Sequence, residues 1–316
     1  MRHMLVIIAC LLAAVANAQD YPVRPIKLVV PIGPGGGTDI LARHLALKMG
    51  ERLRASAVVE NRPGAGSIVG TEYVAKAAPD GYTLLVGGIF NMVMNKALVK
   101  NLPYEPLRDF VPLGYLSAYP FALVARPGLP ATLADFVRYA KARPGKLTYG
   151  SAGLGTLQHV WGTILVKSLG LDMVHVPFKA APAVHQEMLA GRIDLMMDNL
   201  SAVKHHVQSG RLKAYAVSSA ARTRELEGVP TLKESGVDFE GESWFALFAP
   251  AATPPGIVST LRNVIAEVLH DGDFAARVDK DGGRVLAIAP GEQAKFIENE
   301  IERWGSLVQR YGVGIE

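Results

Sequence analysis

The sequence predicts an α/β protein of two lobes with largely parallel sheets. Two observations carry this. Short apolar runs alternate with helical patterns along most of the chain, as expected when helices cover parallel strands. A strand–glycine–helix unit also occurs twice, about 115 residues apart. The first, KLVVPIGPGGGTDILARHLALKM (27–49), places Gly33, Gly35, Gly36 and Gly37 before a helix that Thr38 or Asp39 is expected to cap. The second, LTYGSAGLGTLQHVWGTILVKSL (147–169), places Gly150, Ser151, Gly153 and Gly155 before a helix starting near Thr156. Each joint leaves helix N–H groups and the positive end of a helix dipole open to an anion. Such a joint also occurs for packing alone, but two so far apart suggest two lobes facing one shared ligand.

Between and beyond these units the elements follow in order. Lys27–Pro31, Ala57–Glu60 and Tyr82–Val86 read as strands, with a loop at 61–67 and a helix from Ile68 to Ala77 between the last two. Tyr82–Val86 runs into Gly87-Gly88 and reaches Asn91. Ligands of open α/β sheets sit beyond the carboxyl ends of strands, so Gly87 and Asn91 belong on the same rim as the first glycine loop. Val111–Leu116 and Pro120–Val124 are two apolar runs suited to carrying the chain into the second lobe. A helix follows from Thr132, stopped by Pro144-Gly145. After the second glycine unit come a strand at Met173–Pro177, a helix near Val184–Ala190, and strands at Asp194–Met197 and Lys213–Ser218. Ser243–Pro250 (SWFALFAP) reads as the return crossing, and helical patterns at Pro254–His270 and Gly291–Tyr311 close the chain.

The N-terminus has the form of an export leader. Arg2 precedes an apolar stretch, Leu5–Val15, and Ala16-Asn17-Ala18 is an A-x-A cleavage site. The expected mature chain begins at Gln19. Cys10, the only cysteine, lies in the leader and loosely resembles a lipoprotein site. Cleavage after Ala18 removes it, and with it any thiol nucleophile or disulfide. Net charge is +4, falling to +3 without Arg2. No run of Lys and Arg exceeds two, so nucleic acid is not an expected partner. No later stretch is apolar enough to span a membrane.

Several chemistries lack their residues. There is no G-x-x-x-x-G-K-[ST] loop, the dinucleotide fingerprint fails at Thr38, and H-E-x-x-H and G-x-S-x-G are missing. No cofactor, metal site or catalytic set is therefore expected. His205-His206 read as surface histidines. Asp194 and Asp198, four apart on one strand, share a face. Asp198, at the carboxyl end, is the one expected to meet a ligand. His159, in the first turn of the second glycine helix, serves either the ligand, the core or the cap.

These stretches resemble the Bug-type solute-binding proteins of tripartite tricarboxylate transporters over nearly the whole mature chain. The matching segments include GPGGGTDILAR (33–43), VVENRPGAGSIVGT (58–71), APDGYTLLVG (78–87), LPYEPLRDFVPLG (102–114), PGKLTYGSAGLGTLQH (144–159) and GRIDLMMDN (191–199). The resemblance implies a periplasmic, two-lobed type II (Venus-flytrap) binding protein with a hinge. It implies a monomer that captures a small organic acid and passes it to membrane permease subunits. Lobe 1 is expected to comprise 19–120 with 245–316, and lobe 2 to comprise 121–244. By the same resemblance Gly35, Gly36, Gly37 and Asp39 in lobe 1, and Ser151, Gly153, Gly155, Thr156 and His159 in lobe 2, hold the carboxylate through backbone N–H groups and water. Phe178, Lys179, Ala180 and Asp198 match pocket-lining positions.

Three departures from the family pattern bear on the ligand. Ile32 stands where an aromatic is usual, Phe178 where tyrosine is usual, and Ala180 where glycine is usual. They suit a less polar or aromatic carboxylate. Two other readings remain beside the receptor. One is a solute sensor with the same site. The other is a secreted enzyme using Asp39, Asp198 and His159 as acid–base groups, which no nucleophile, metal set or cofactor loop supports.

Overall fold

The computed structural model describes residues 21–314. The expected leader, its cleavage site and Cys10 lie outside them. In chain order the elements are β1 (Ile26–Val30), α1 (Gly37–Leu53), β2 (Ala57–Asn61), α2 (Ile68–Ala75), β3 (Thr83–Gly88), a π-helical turn (Phe90–Met94) leading into α3 (Asn95–Leu98), α4 (Pro106–Asp109) and β4 (Phe110–Ala125). Then follow α5 (Leu133–Lys141), β5 (Leu147–Ser151), α6 (Leu157–Ser168), β6 (Met173–Pro177), α7 (Ala181–Leu189), β7 (Leu195–Asn199), α8 (Leu200–Gln208) and β8 (Lys213–Val217). A short 3₁₀ turn at Arg224–Leu226 precedes β9 (Glu242–Pro250), α9 (Pro255–Leu269), α10 (Gly272–Lys280), β10 (Arg284–Val285) and α11 (Gln293–Arg310).

The strands form one continuous curled ladder in the order β2-β1-β3-β9-β4-β7-β5-β6. Within each half the strands joined by helices are parallel: β2, β1 and β3 in one, β6, β5 and β7 in the other. The two connecting strands, β4 and β9, run antiparallel to each other. β4 pairs with β9 from Phe110 to Pro120, then with β7 from Phe121 to Ala125. β10 and β8 pair with the other side of β4, at Ser117–Ala118 and Ala122–Ala125, so β4 passes from one half to the other as an interior strand.

β4 is one strand of 16 residues where the sequence suggested two. The two runs, Val111–Leu116 and Pro120–Val124, are continuous through residues 117–119. The register shifts between Pro112 and Gly114, so the missing proline N–H falls at an irregularity, and Pro120 ends the pairing with β9. The first helix also differs from expectation: Gly36, not Thr38 or Asp39, is its N-cap. Asp39 is drawn into other bonds inside the first turn. The π-helical turn, α3, α4, α8, α10 and β10 are not among the elements expected above: α3, α4 and β10 are four residues or fewer, α8 follows β7 directly, and only two residues separate α10 from α9.

One serine ties the crossing together. Phe121 N donates to Ser218 Oγ (2.8 Å), and Ser218 Oγ donates to Gly241 O (2.6 Å). Ser218 N donates to Phe121 O and Gly241 N donates to Ser218 O, both at 2.9 Å. Ser218 is fully buried, so these groups have no water to turn to. The core on this side is aromatic: Phe121 meets Trp161 edge-on at 4.6 Å, and Trp161 stacks on Trp304 of α11 at 5.1 Å. Replacing Ser218 by Ala strands a buried N–H and a buried carbonyl. Stability is expected to fall by about 1–3 kcal/mol, measured by denaturant unfolding.

Candidate functional site

A cavity of about 600 Å³ lies between the two halves of the ladder. Four helix N-termini reach its lining: Thr38 in the first turn of α1, Gly66 and Ser67 before α2, Thr156, Leu157 and Gln158 at the start of α6, and Asn199 before α8. This convergence follows from the parallel strands, which all deliver their helices at the same rim. The floor comes from the crossing strands through Phe121, Ser243 and Phe245. Not one of the residues lining the cavity is an Asp, Glu, Lys, Arg or His. A smaller cavity of about 280 Å³ adjoins it, sharing Thr38, Asn199 and Phe245.

Two aspartates stand just behind this neutral lining. Asp39, 3% exposed, accepts from Gly35 N (3.0 Å), Arg43 Nε (3.0 Å) and Asn61 Nδ2 (2.9 Å). It clips the first glycine loop to the end of β2. The Arg43 guanidinium, with help from Gly35 N–H and Asn61, holds its carboxyl well below the usual range, at about 2, against the opposing effect of burial. Asp198, 1% exposed, accepts from Gln158 Nε2 (3.1 Å) and Asn199 N (2.7 Å) and lies 2.7 Å from His185 Nε2. Its oxygens therefore fix two residues that do line the cavity, one at each of two helix ends.

The wall of the second lobe rests on two histidines. Gly155 N donates to His159 Nδ1 (3.1 Å), so that nitrogen carries no proton and the ring is neutral. His159 stacks on His175 at 4.3 Å, and His175 Nε2 lies 2.8 Å from Ser151 Oγ. Thr156 caps α6, accepting from His159 N (3.4 Å) and donating to Gly153 O (2.7 Å). Burial lowers both histidine pKa values, and the neighbouring His159 pushes His175 further, to about 4.

The loop before α2 is the most unusual backbone in the site. Gly64, Ala65, Gly66 and Ser67 all have positive φ (145°, 45°, 62° and 71°). For Ala65 and Ser67 this is strained. The surroundings hold it: Asn95 Nδ2 donates to Gly66 O (2.9 Å) and Thr71 Oγ1 to Ser67 O (2.8 Å). Asn91 completes the network, accepting from Gly88 N (2.8 Å) and donating to Thr71 Oγ1 (2.9 Å).

Of the residues singled out from sequence, Ile32, Gly33, Thr38, Gly87, Asn91 and Thr156 line the main cavity and Gly37 the smaller one. Gly35, Gly36 and Asp39 form the turn behind Thr38. Ser151, Gly153, Gly155 and His159 support the start of α6. Asp198 is held one side chain back. Phe178 lies off the lining: its N–H donates to Ser151 O (2.9 Å) and its ring packs on the Val184–Met188 side of lobe 2. Lys179 and Ala180 are exposed. Sequence reading missed Ser67, Gln158, Asn199 and the three phenylalanines Phe90, Phe121 and Phe245. For Ser67 a signal existed in the two glycines ahead of a helix, and for Phe245 in the aromatic run of the return crossing. Among the described residues no group of three or more His, Cys, Asp or Glu is arranged for a metal.

A two-lobed α/β fold with a neutral cleft ringed by helix ends is that of periplasmic solute-binding proteins. Residues 41–313 match the tripartite tricarboxylate transporter family receptor model, and the chain belongs to that family. It is 33% identical to Protein BugT of Bordetella pertussis, over 96% of this chain and 94% of that one. Similar solved structures include R. palustris Rpa4515 with adipate (TM-score 0.82, 32% identity, covering 93% of this chain and 99% of that one). They include MatC from Rhodopseudomonas palustris with bound malate (TM-score 0.78, 33% identity, 91% and 100%) and the periplasmic binding protein BugD (0.79, 34%, 93% and 99%).

Two predictions follow from the histidines and the strained loop. Because burial and the neighbouring His159 hold the folded-state pKa of His175 below its ordinary value, the unfolded chain binds more protons between about pH 4 and 6.5. Stability is full above that window and is lost as pH falls through it. Thermal midpoints across pH 4–7 should show the loss, and His175→Gln, which keeps a partner for Ser151, should flatten it. Ser67→Gly relieves a left-handed serine, so stability is expected to hold or rise by up to about 1 kcal/mol, while ligand affinity falls with the hydroxyl. Unfolding and calorimetric titration of the same variant separate the two effects.

Proposed function

We propose that this protein is an exported receptor that closes its lobes on a small carboxylate and delivers it to the membrane subunits of a tripartite transporter. The observation that carries the reading is the cavity between the lobes, where four helix N-termini meet without an ionisable side chain in the lining. Neutral donors are sufficient. Micromolar affinity needs about −8 kcal/mol, and a helix end contributes about 0.3–1 kcal/mol, up to about 2 when partly buried. A site without a buried cation also releases its anion readily when the lobes open. The adipate and malate of two related structures are small carboxylates, which supports the class of ligand.

In this reading the lobes are 19–120 with 245–316, and 121–244. The hinge is the crossing of β4 and β9 beside Ser218, and closure brings the wall of α6 toward the loops before α1 and α2. The leader is removed after Ala18, and the chain works as a monomer. Glycine-loop backbone at Gly35–Gly37 and Gly153–Gly155 closes on the ligand together with Thr156 and Asn91, while Asp39, Asp198 and His159 hold those groups in place.

The test pairs binding with uptake. Calorimetry on a panel of small acids is expected to give saturable binding, with the acid recovered chemically unchanged. A strain lacking the protein is expected to lose uptake of that labelled acid. Turnover of the acid would point to an enzyme, and unchanged uptake with a lost regulatory response would point to a sensor.

A further inference from the structure

We propose that the ligand is a ring-bearing monocarboxylate of the benzoate type, its ring held among Phe90, Phe121 and Phe245; this rests on the carboxylate-receptor reading above. The three phenyl rings come from three different parts of the fold: the turn after β3, the crossing strand β4 and the return strand β9. Phe121 and Phe245 belong to the floor, and Phe90 lines the cavity from the turn after β3. Phe121 is anchored edge-on against Trp161 at 4.6 Å and Phe245 against Tyr119 at 5.9 Å, so the walls are stiff. Phe90 sits beside the strained loop, 3.6 Å from where a side chain on Gly66 would begin. Flat glycine backbone at 87–88 continues the surface next to Phe245. Rings favour edge-to-face and offset contacts with such walls, which an open-chain acid does not make.

The polar side accommodates one carboxylate better than two. Asp39 stands in the first turn of α1, and Asp198 is bonded to the backbone N–H of Asn199 ahead of α8 and to Gln158 in α6. The ends of α1 and α8 thus already have an acid placed against them. The starts of α2 and α6 have no acid in their first turns, and Ser67 before α2 is 7% exposed and lines the cavity. A second carboxylate would add a second negative charge to a lining that has no cation to compensate it.

The test is calorimetry on the full exported protein after unfolding and refolding to strip bound acid, with benzoate, adipate, malate and benzamide as probes. Benzoate is expected to bind at least ten-fold tighter than adipate or malate. Phe90→Leu and Phe245→Leu, which keep apolar volume, are expected to weaken benzoate at least five-fold with little change in thermal midpoint. Adipate or malate binding as tightly as benzoate would overturn the ring-bearing ligand and leave the carboxylate receptor standing. Undiminished benzoate binding in both variants would overturn the role given to the rings. Benzamide binding as tightly as benzoate, or no binding by any acid, would overturn the carboxylate reading itself.

Discussion

The contact between β4 and β9 is the constraint on which the rest of the molecule depends. Each half of the ladder is a parallel unit with its own helices, and a parallel unit cannot reach the other half except by long strands that leave it. β4 and β9 are those strands, and they stay paired until Pro120. At that point Ser218 takes over, bonding both chains through its hydroxyl and its backbone. The floor of the cleft is built from the same stretch, Phe121 and Ser243–Phe245. Walls on either side are therefore joined through one shared floor.

The chemistry of the cleft is an arrangement of charges kept one layer away. Buried carboxylates must be paired, and Asp39 and Asp198 are paired with backbone N–H groups and side chains that themselves belong to the lining or its supporting loop. Each aspartate thereby sets the position of neutral donors. The histidine stack does the same for the second glycine loop, and it does so only while neutral, since His159 Nδ1 is an acceptor. The lining presents dipoles whose direction the fold fixes, and the charges behind it act as positioning groups.

Legibility of the molecule in its sequence follows the range of the interactions. The two glycine units, the strands that precede them, the aromatic return crossing and the family resemblance are all local patterns, and the structure contains each of those elements. Asp198 was recognised as a carboxylate at the cleft end of a strand. Its partners were not, because His185 is 13 residues away and Gln158 40 residues away, on different helices. Phe178 matches a pocket-lining position only through the family resemblance, and its half-buried ring packs against the apolar core of lobe 2. Val111–Leu116 and Pro120–Val124 look like two separate runs until a long partner strand supplies a register shift beside Pro112 and a pairing switch after Pro120.

By itself the sequence determined the α/β class, the repeated strand–glycine–helix device and the family, because periodicity, turn residues and motif order are encoded within short windows. Only the tertiary structure decided that four helix ends share one cavity, that the aspartates stand behind it, and that Phe90, Phe121 and Phe245 line it. Those facts depend on the fold bringing distant segments to one rim, and no local pattern records which side chain a distant strand will present there.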